Sequence, residues 1–254
     1  MRKKLYFISF LIILFSIVFL NSKSNRYIGV NYVVEKHKIS NFQKLSEFYE
    51  RHINYKKLVK EITDDSKNKE EEIKVISTWI YNNIKKISNL DEVIDNHPWT
   101  IVERKMGVND QFSDILSVLL VYNGIESFFE GFEYHQFTFF KYNNEWSIID
   151  PYYGVYFINN ENYFSTIKEI KNDNFTMRHL TLGEVTSENF DTIFFDKDFK
   201  NINQLNNYFN HLLTKIHTSK SIDNTSIYDR GGRSHIQKPM HRIFFQIKKI
   251  LRFN

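Results

Sequence analysis

Asn109, His135 and Asp150 stand in the segments of this chain whose residue types and spacing point to chemistry. Asn109 lies in Gly107-Val108-Asn109-Asp110-Gln111-Phe112-Ser113-Asp114, His135 in Tyr134-His135-Gln136-Phe137, and Asp150 in Trp146-Ser147-Ile148-Ile149-Asp150-Pro151. A histidine within reach of a carboxylate can act as a general base whose tautomer the carboxylate fixes. Such a dyad ordinarily serves a Ser or Cys. The chain contains no Cys, which excludes thiolate catalysis, thiolate metal ligation and disulfides together. Ser113 is one helical turn past Asn109, a displacement of about 5.4 Å along a helix axis. That offset is too large to keep attack geometry without rearrangement.

The order of these segments resembles the core of the transglutaminase-like superfamily, whose pattern runs Gly-x-Cys-Asp-Gln or similar, then a His on a strand, then Trp-x-x-x-Asp-Pro. The resemblance covers roughly residues 70–158. It implies a papain-like α+β core with the nucleophile position at 109, His135 as base and Asp150 as its orienting partner. Asn stands where the family carries Cys, and an amide is no useful nucleophile. The resemblance therefore implies vestigial triad positions at Asn109, His135 and Asp150. The protein is expected to be a non-catalytic binding or accessory component at the cell surface, with a peptide, glycan or protein ligand. The alternative is a hydrolase, or an acyl or peptide transferase, whose His-Asp dyad serves a non-Cys nucleophile or an activated water.

The elements that must position these residues can be read from periodicity. Phe112, Ile115, Leu116, Leu119 and Leu120 recur at helical spacing from Asn109 to about Asn123-Gly124. Asn109 is expected to cap that helix, with Asp110 in its first turn and Gly107 in a tight turn before it. Strands are expected over 125–132, 134–142 and 145–150, with Asn143-Asn144 as a two-residue turn tolerant of positive φ. That turn sets Tyr142 opposite Glu145, Phe139 opposite Ile148 and Phe137 opposite Asp150, with His135 diagonal to Asp150. Alternation puts His135, Phe137, Phe139, Trp146, Ile148 and Asp150 on one face. A His–carboxylate contact is within reach across such a diagonal.

Around this stretch, helices are expected over 42–62 and 69–87, the second with Ile73, Ile76, Ile80, Ile84 and Ile87 on its apolar face. A short helix over 99–105, a strand over 155–158, a short helix over 162–172, a strand over 192–195 and an amphipathic helix over 205–216 follow. The fold class is α+β: helices packed on an antiparallel sheet, preceded by an N-terminal hydrophobic segment. Three Pro and eight Gly in 254 residues argue against a linker-rich chain.

Arg2-Lys3-Lys4 precedes an apolar run from Leu5 to Leu20, then Asn21-Ser22-Lys23-Ser24. This is the pattern of a signal anchor or of a signal peptide, and cleavage after Ser24 stays open. Sixteen residues rise about 24 Å, slightly short of a hydrocarbon core of about 30 Å. Both readings carry the body out of the cytoplasm, to a membrane-anchored or secreted, periplasmic or cell-surface location. The expected organisation is 1–24 signal segment, 25–68 N-terminal region, 69–158 core, 159–217 extension of the same domain and 218–254 basic loop and tail. Net charge is +4, and the tail carries Arg230, Arg233, Lys238, Arg242, Lys248, Lys249 and Arg252 without an acid after Asp229. An anionic surface or acidic partner is a possible contact there, whereas nucleic acid is not expected. Nine His show no His-Glu-x-x-His spacing, and no phosphate loop or dinucleotide fingerprint occurs. Neither a metal nor a cofactor is expected.

Overall fold

The computed structural model describes residues 2–30, 33–87, 97–132, 135–172, 174–186, 188–190 and 199–218. They belong to two compact units: Met1–Asn54 with Asn89–His97, and Tyr55–Ser88 with Pro98–Asn254. The expected strand over 192–195 and the basic stretch beyond Thr218 lie outside the described residues.

The first unit opens with helix α1, Arg2–Asn21, whose apolar side chains from Leu5 to Phe19 are exposed. Strands β1, Lys23–Val30, and β2, Val33–Ser40, form an antiparallel hairpin running from Lys23 opposite Ser40 to Val30 opposite Val33. Residues 25–35, with Tyr27-Ile28-Gly29-Val30-Asn31-Tyr32-Val33-Val34, read from the sequence as a strand or an extended spacer; the structure pairs two strands there and carries the second to Ser40. The pairing supplies the order that the side chains do not announce. Helix α2, Asn41–Thr63, follows directly.

The second unit holds the candidate site. Helix α3, Lys69–Asn83, is capped by Asn68, whose side chain accepts from the Glu71 amide at 2.9 Å, and carries Glu70, Glu71 and Glu72 in its first turn. Ile73, Ile76, Ile80 and Ile84 are buried, each worth roughly 1.5–3 kcal/mol of burial. The helix stops four residues before the expected Ile87, since Ile84 turns extended and feeds the two-residue strand β3, Lys85–Lys86. Helix α4, Pro98–Arg104, and strand β4, Met106–Gly107, follow. β3 and β4 pair in parallel, Lys86 opposite Gly107. Gly107 is not a positive-φ turn residue; a Cβ there would come within 3.2 Å of both Ile101 Cγ2 and Gln111 Oε1. Close approach, not turn geometry, is what favours glycine at that point.

Helix α5, Asn109–Tyr122, is buried along most of its length. After it run β5 (Ser127–Phe132), β6 (His135–Tyr142), β7 (Glu145–Asp150) and β8 (Val155–Ile158). A five-residue helix α6, Ile167–Lys171, β9 (Thr176–His179), β10 (Gly183–Glu184) and α7 (Ile202–Thr218) complete the described elements. The six strands β5 to β10 form one antiparallel meander in sequence order. The fold is α+β, with helices on an antiparallel sheet and an apolar N-terminal helix. Both sheet faces are covered. Phe140, Ile149, Tyr156 and Ile158 join α3, α4, α5 and the end of α2 in one core, while Phe137, Phe139, Ile148 and Phe157 join Phe199, Leu205 and Phe209 in another.

Candidate functional site

The β6–β7 hairpin turns on Asn143 and Asn144, at φ 49° and 66°, as a two-residue turn of primed type requires. It sets Tyr142 opposite Glu145, Phe139 opposite Ile148 and Thr138 opposite Ile149, which is the register read from the sequence. His135 and Asp150 thereby meet: Nε2 of His135 lies 2.6 Å from Oδ2 of Asp150. Both are buried, His135 2% exposed and Asp150 0%. The second carboxylate oxygen accepts from the backbone N–H groups of Tyr152 at 3.0 Å and Tyr153 at 3.1 Å. The corner after Pro151 thus holds the carboxylate, and the carboxylate holds the imidazole.

Asn109 does not cap α5, contrary to expectation. Val108 is the N-cap, and its N–H is served by the Gln111 side chain at 3.2 Å. The Asn109 side chain instead leaves its helix for β6. Its oxygen accepts from the Gln136 N–H at 3.3 Å, and its amide nitrogen contacts Nδ1 of His135. A backbone N–H can only donate, so the Asn109 oxygen must face Gln136 and its NH2 must face His135. The Nδ1 lone pair then accepts, and the ring hydrogen sits on Nε2, donated to Asp150. The three sequence-predicted positions are brought together in one hydrogen-bonded chain, with Asn109 half-buried at its outer end.

Ser113 is elsewhere. It is fully buried, its hydroxyl donates to the Gln136 carbonyl at 2.9 Å, and its own carbonyl accepts from Thr138 at 3.2 Å. It fastens α5 to β6 and does not face Nδ1 of His135. Asp110, next to Asn109, has its carboxyl held above the usual carboxylate value, chiefly by burial; hydrogen bonds from the Gln111 and Asp110 amides pull the other way.

No family model matches the chain, and no curated protein matches it. Three solved structures align with parts of it. One is a candidate cysteine protease from Cytophaga hutchinsonii, at 20% identity over 40% of this chain and 37% of that one, TM-score 0.35. Another is a TGase, at 13% identity over 50% of this chain and 43% of that one, TM-score 0.33. The third is a candidate protease from Parabacteroides distasonis, at 12% identity over 63% and 40%, TM-score 0.34. The chain spans about two fifths of the length of each.

Of the aromatic neighbours of the site, Phe137 was placed on the His135 face by strand alternation, whereas the ring contacts of Tyr153 and Tyr208 with His135 were not read from the sequence. Tyr153 stacks on the His135 ring at 5.3 Å and 17°, and Phe137 and Tyr208 meet it edge-on. Tyr208 comes from α7, so the imidazole is walled by an element over fifty residues downstream. The ammonium of Lys86 lies 5.1 Å from the Tyr81 and Tyr152 ring centres and 5.8 Å from Tyr153. Beside that cation His179 is pushed down to about 4, mainly by burial and then by Lys86, with a backbone hydrogen bond at Tyr153 opposing. The only sequence signal for this cluster was Tyr152-Tyr153 following Asp-Pro. A cleft of about 310 Å³ lined by Lys69, Glu126, Lys141 and Tyr142 lies at the other end of β6, roughly 24 Å along the strand from His135.

Proposed function

We propose that this protein is a membrane-tethered, transglutaminase-like pseudoenzyme, a binding or accessory component exposed outside the cytoplasm. The observation that carries the reading is the Asn109 amide, oriented by the Gln136 N–H so that it donates to the nitrogen of His135 from which a catalytic base would act. A thiol at this position would give its proton to that nitrogen; an amide occupies it without becoming a nucleophile. The retained His135–Asp150 pair, buried and bonded to the Tyr152 and Tyr153 backbone, then serves as architecture for the site.

Tethering is supported by α1. Its apolar run from Leu5 to Leu20 rises about 24 Å, and the flanking Arg2, Lys3, Lys4 and Asn21 extend the helix toward the headgroups of a core about 30 Å thick. The window Lys4–Asn21 has mean hydropathy 2.1 and none of it is buried. Arg2, Lys3 and Lys4 favour an N-terminus that stays inside.

The experiment compares wild type with His135→Ala on acyl, peptide and glycan substrates, using protein reconstituted in vesicles. Equal background turnover is expected for both. Turnover by wild type that His135→Ala abolishes would overturn the pseudoenzyme reading in favour of a His-Asp hydrolase or transferase with a different nucleophile or an activated water.

A further inference from the structure

The first half of α2 inverts the usual arrangement of a surface helix. Phe42, Leu45, Tyr49 and Ile53 are 61%, 55%, 64% and 45% exposed. Spacings of three, four and four residues put them within an arc of roughly 80° on the helix. The polar side is the one engaged within the unit. Glu47 accepts from Arg26 of β1 at 2.8 Å and from Gln43 at 3.0 Å, and Arg51 lies 3.5 Å from it. Lys44 donates to the Asn25 carbonyl at 2.7 Å. The polar flank is tied to the hairpin and the apolar stripe is turned outward.

What covers that stripe follows from where the helix begins. Asn41 is locked to the end of α1: its N–H donates to the Ser22 carbonyl at 3.0 Å, and its side-chain amide to the Phe19 carbonyl at 3.1 Å and the Ser22 hydroxyl at 2.9 Å. The Ser24 hydroxyl donates to the Asn41 side-chain oxygen at 2.7 Å. Phe42 therefore starts the stripe at the level where α1 ends. If α1 crosses a bilayer, that level is the headgroup boundary, where an apolar helix face is favoured against lipid and aromatic rings are favoured by their amphipathic character. Exposed Lys23, Lys36 and Lys38 on the hairpin add cations suited to anionic headgroups.

We propose that the first half of α2 is an interfacial helix, seating Phe42, Leu45, Tyr49 and Ile53 in the surface of the bilayer that receives α1. The inference rests on the membrane reading of α1 and goes beyond it, because a tether alone leaves α2 in water. The absence of Cys makes labelling selective. Phe42→Cys, Leu45→Cys, Tyr49→Cys and Ile53→Cys are each coupled to a polarity-sensitive fluorophore in the full chain, beside Gln43→Cys and Glu50→Cys on the flank. The labelled chains are reconstituted into vesicles of phosphatidylcholine and phosphatidylglycerol carrying doxyl-lipid quenchers. Blue-shifted, lipid-quenched emission is expected at the four stripe positions, with aqueous emission at the two flank positions. If the chain fails to float with the vesicles, the tether reading and this one fall together. If it floats but the stripe labels emit as the flank labels do, only the interfacial helix is overturned. A blue shift without lipid quenching, growing with protein concentration, assigns the face to a second copy and overturns it too.

Discussion

The Asn109 amide and a thiol would use the same neighbours differently, which makes position 109 a direct probe of the site. Asn109→Cys places a sulfur at a helix start beside Nδ1 of His135, a setting that lowers thiol pKa from about 8.5 by one unit or more. Alkylation by iodoacetamide near pH 6 is expected to run at least about tenfold faster than at an exposed control such as Glu161→Cys. Adding His135→Ala should remove most of that advantage; equal rates in both would show that the imidazole does not reach the position. Asp150 yields a second prediction at this scale. Its carboxylate is buried and accepts from His135 and two backbone N–H groups. Asp150→Ala leaves all three donors without a partner and is expected to cost about 3–5 kcal/mol. Asp150→Asn keeps an acceptor for the backbone pair and is expected to cost about 2 kcal/mol less. Urea titration followed by tryptophan fluorescence measures both, and equal losses would mean that the backbone bonds contribute little.

Among the elements, the hairpin is the one whose geometry a short local signal carries. Asn143 and Asn144 both adopt positive φ, a conformation strained for most L-residues and free for glycine. Asn144→Gly should therefore be neutral to stabilising by up to about 1 kcal/mol, whereas Asn144→Val should cost about 1–2 kcal/mol. The midpoint of denaturant unfolding checks the pair, and the reverse order would contradict the turn. This turn was legible because it depends on two adjacent residues, and the register followed from counting outward. The apolar periods of α3 and α5 were legible for the same reason. What escaped depends on partners distant in sequence. β9, Thr176–His179, is a strand through its pairing with Val155–Ile158 on one side and Gly183–Glu184 on the other, and Thr-Met-Arg-His carries no alternation. Asn109 read as a cap because its type suits one; the donor that draws its side chain away, the Gln136 N–H, is 27 residues on. Phe42, Leu45, Tyr49 and Ile53 have the spacing of a core helix, and periodicity does not tell which side a protein core or a bilayer is on.

Across the second unit, stability is expected to depend on pH through a group far from the dyad in sequence. His179 closes the junction of β9 with the corner after β7. Its ring packs edge-on to Tyr81 at 5.0 Å, and Nδ1 accepts from the Thr181 N–H at 3.3 Å. Gly154 sits so close, at φ 70°, that a Cβ there would come within 2.8 Å of Tyr81 and 2.9 Å of His179 Nε2. With Lys86 nearby, charging this ring is unfavourable, and its pKa falls to about 4 against about 6.5 in an unfolded chain. Between those values the unfolded state binds the extra proton, so folding stability rises with pH. The contribution is complete above about pH 6.5 and is lost as acid takes the protein toward pH 4, by on the order of 2 kcal/mol. His179→Gln keeps an acceptor for Thr181 and removes the titration. Unfolding free energies measured in detergent from pH 4 to 7 should therefore show a slope in wild type that is reduced in the variant. Parallel profiles would mean that the ring is charged in the fold despite its burial beside Lys86. Gly154→Ala crowds the same junction, setting a Cβ against Tyr81 and His179 at a positive φ. It should therefore lower stability at every pH from 4 to 7, including pH 7, where the His179 ring is neutral in the folded and the unfolded chain.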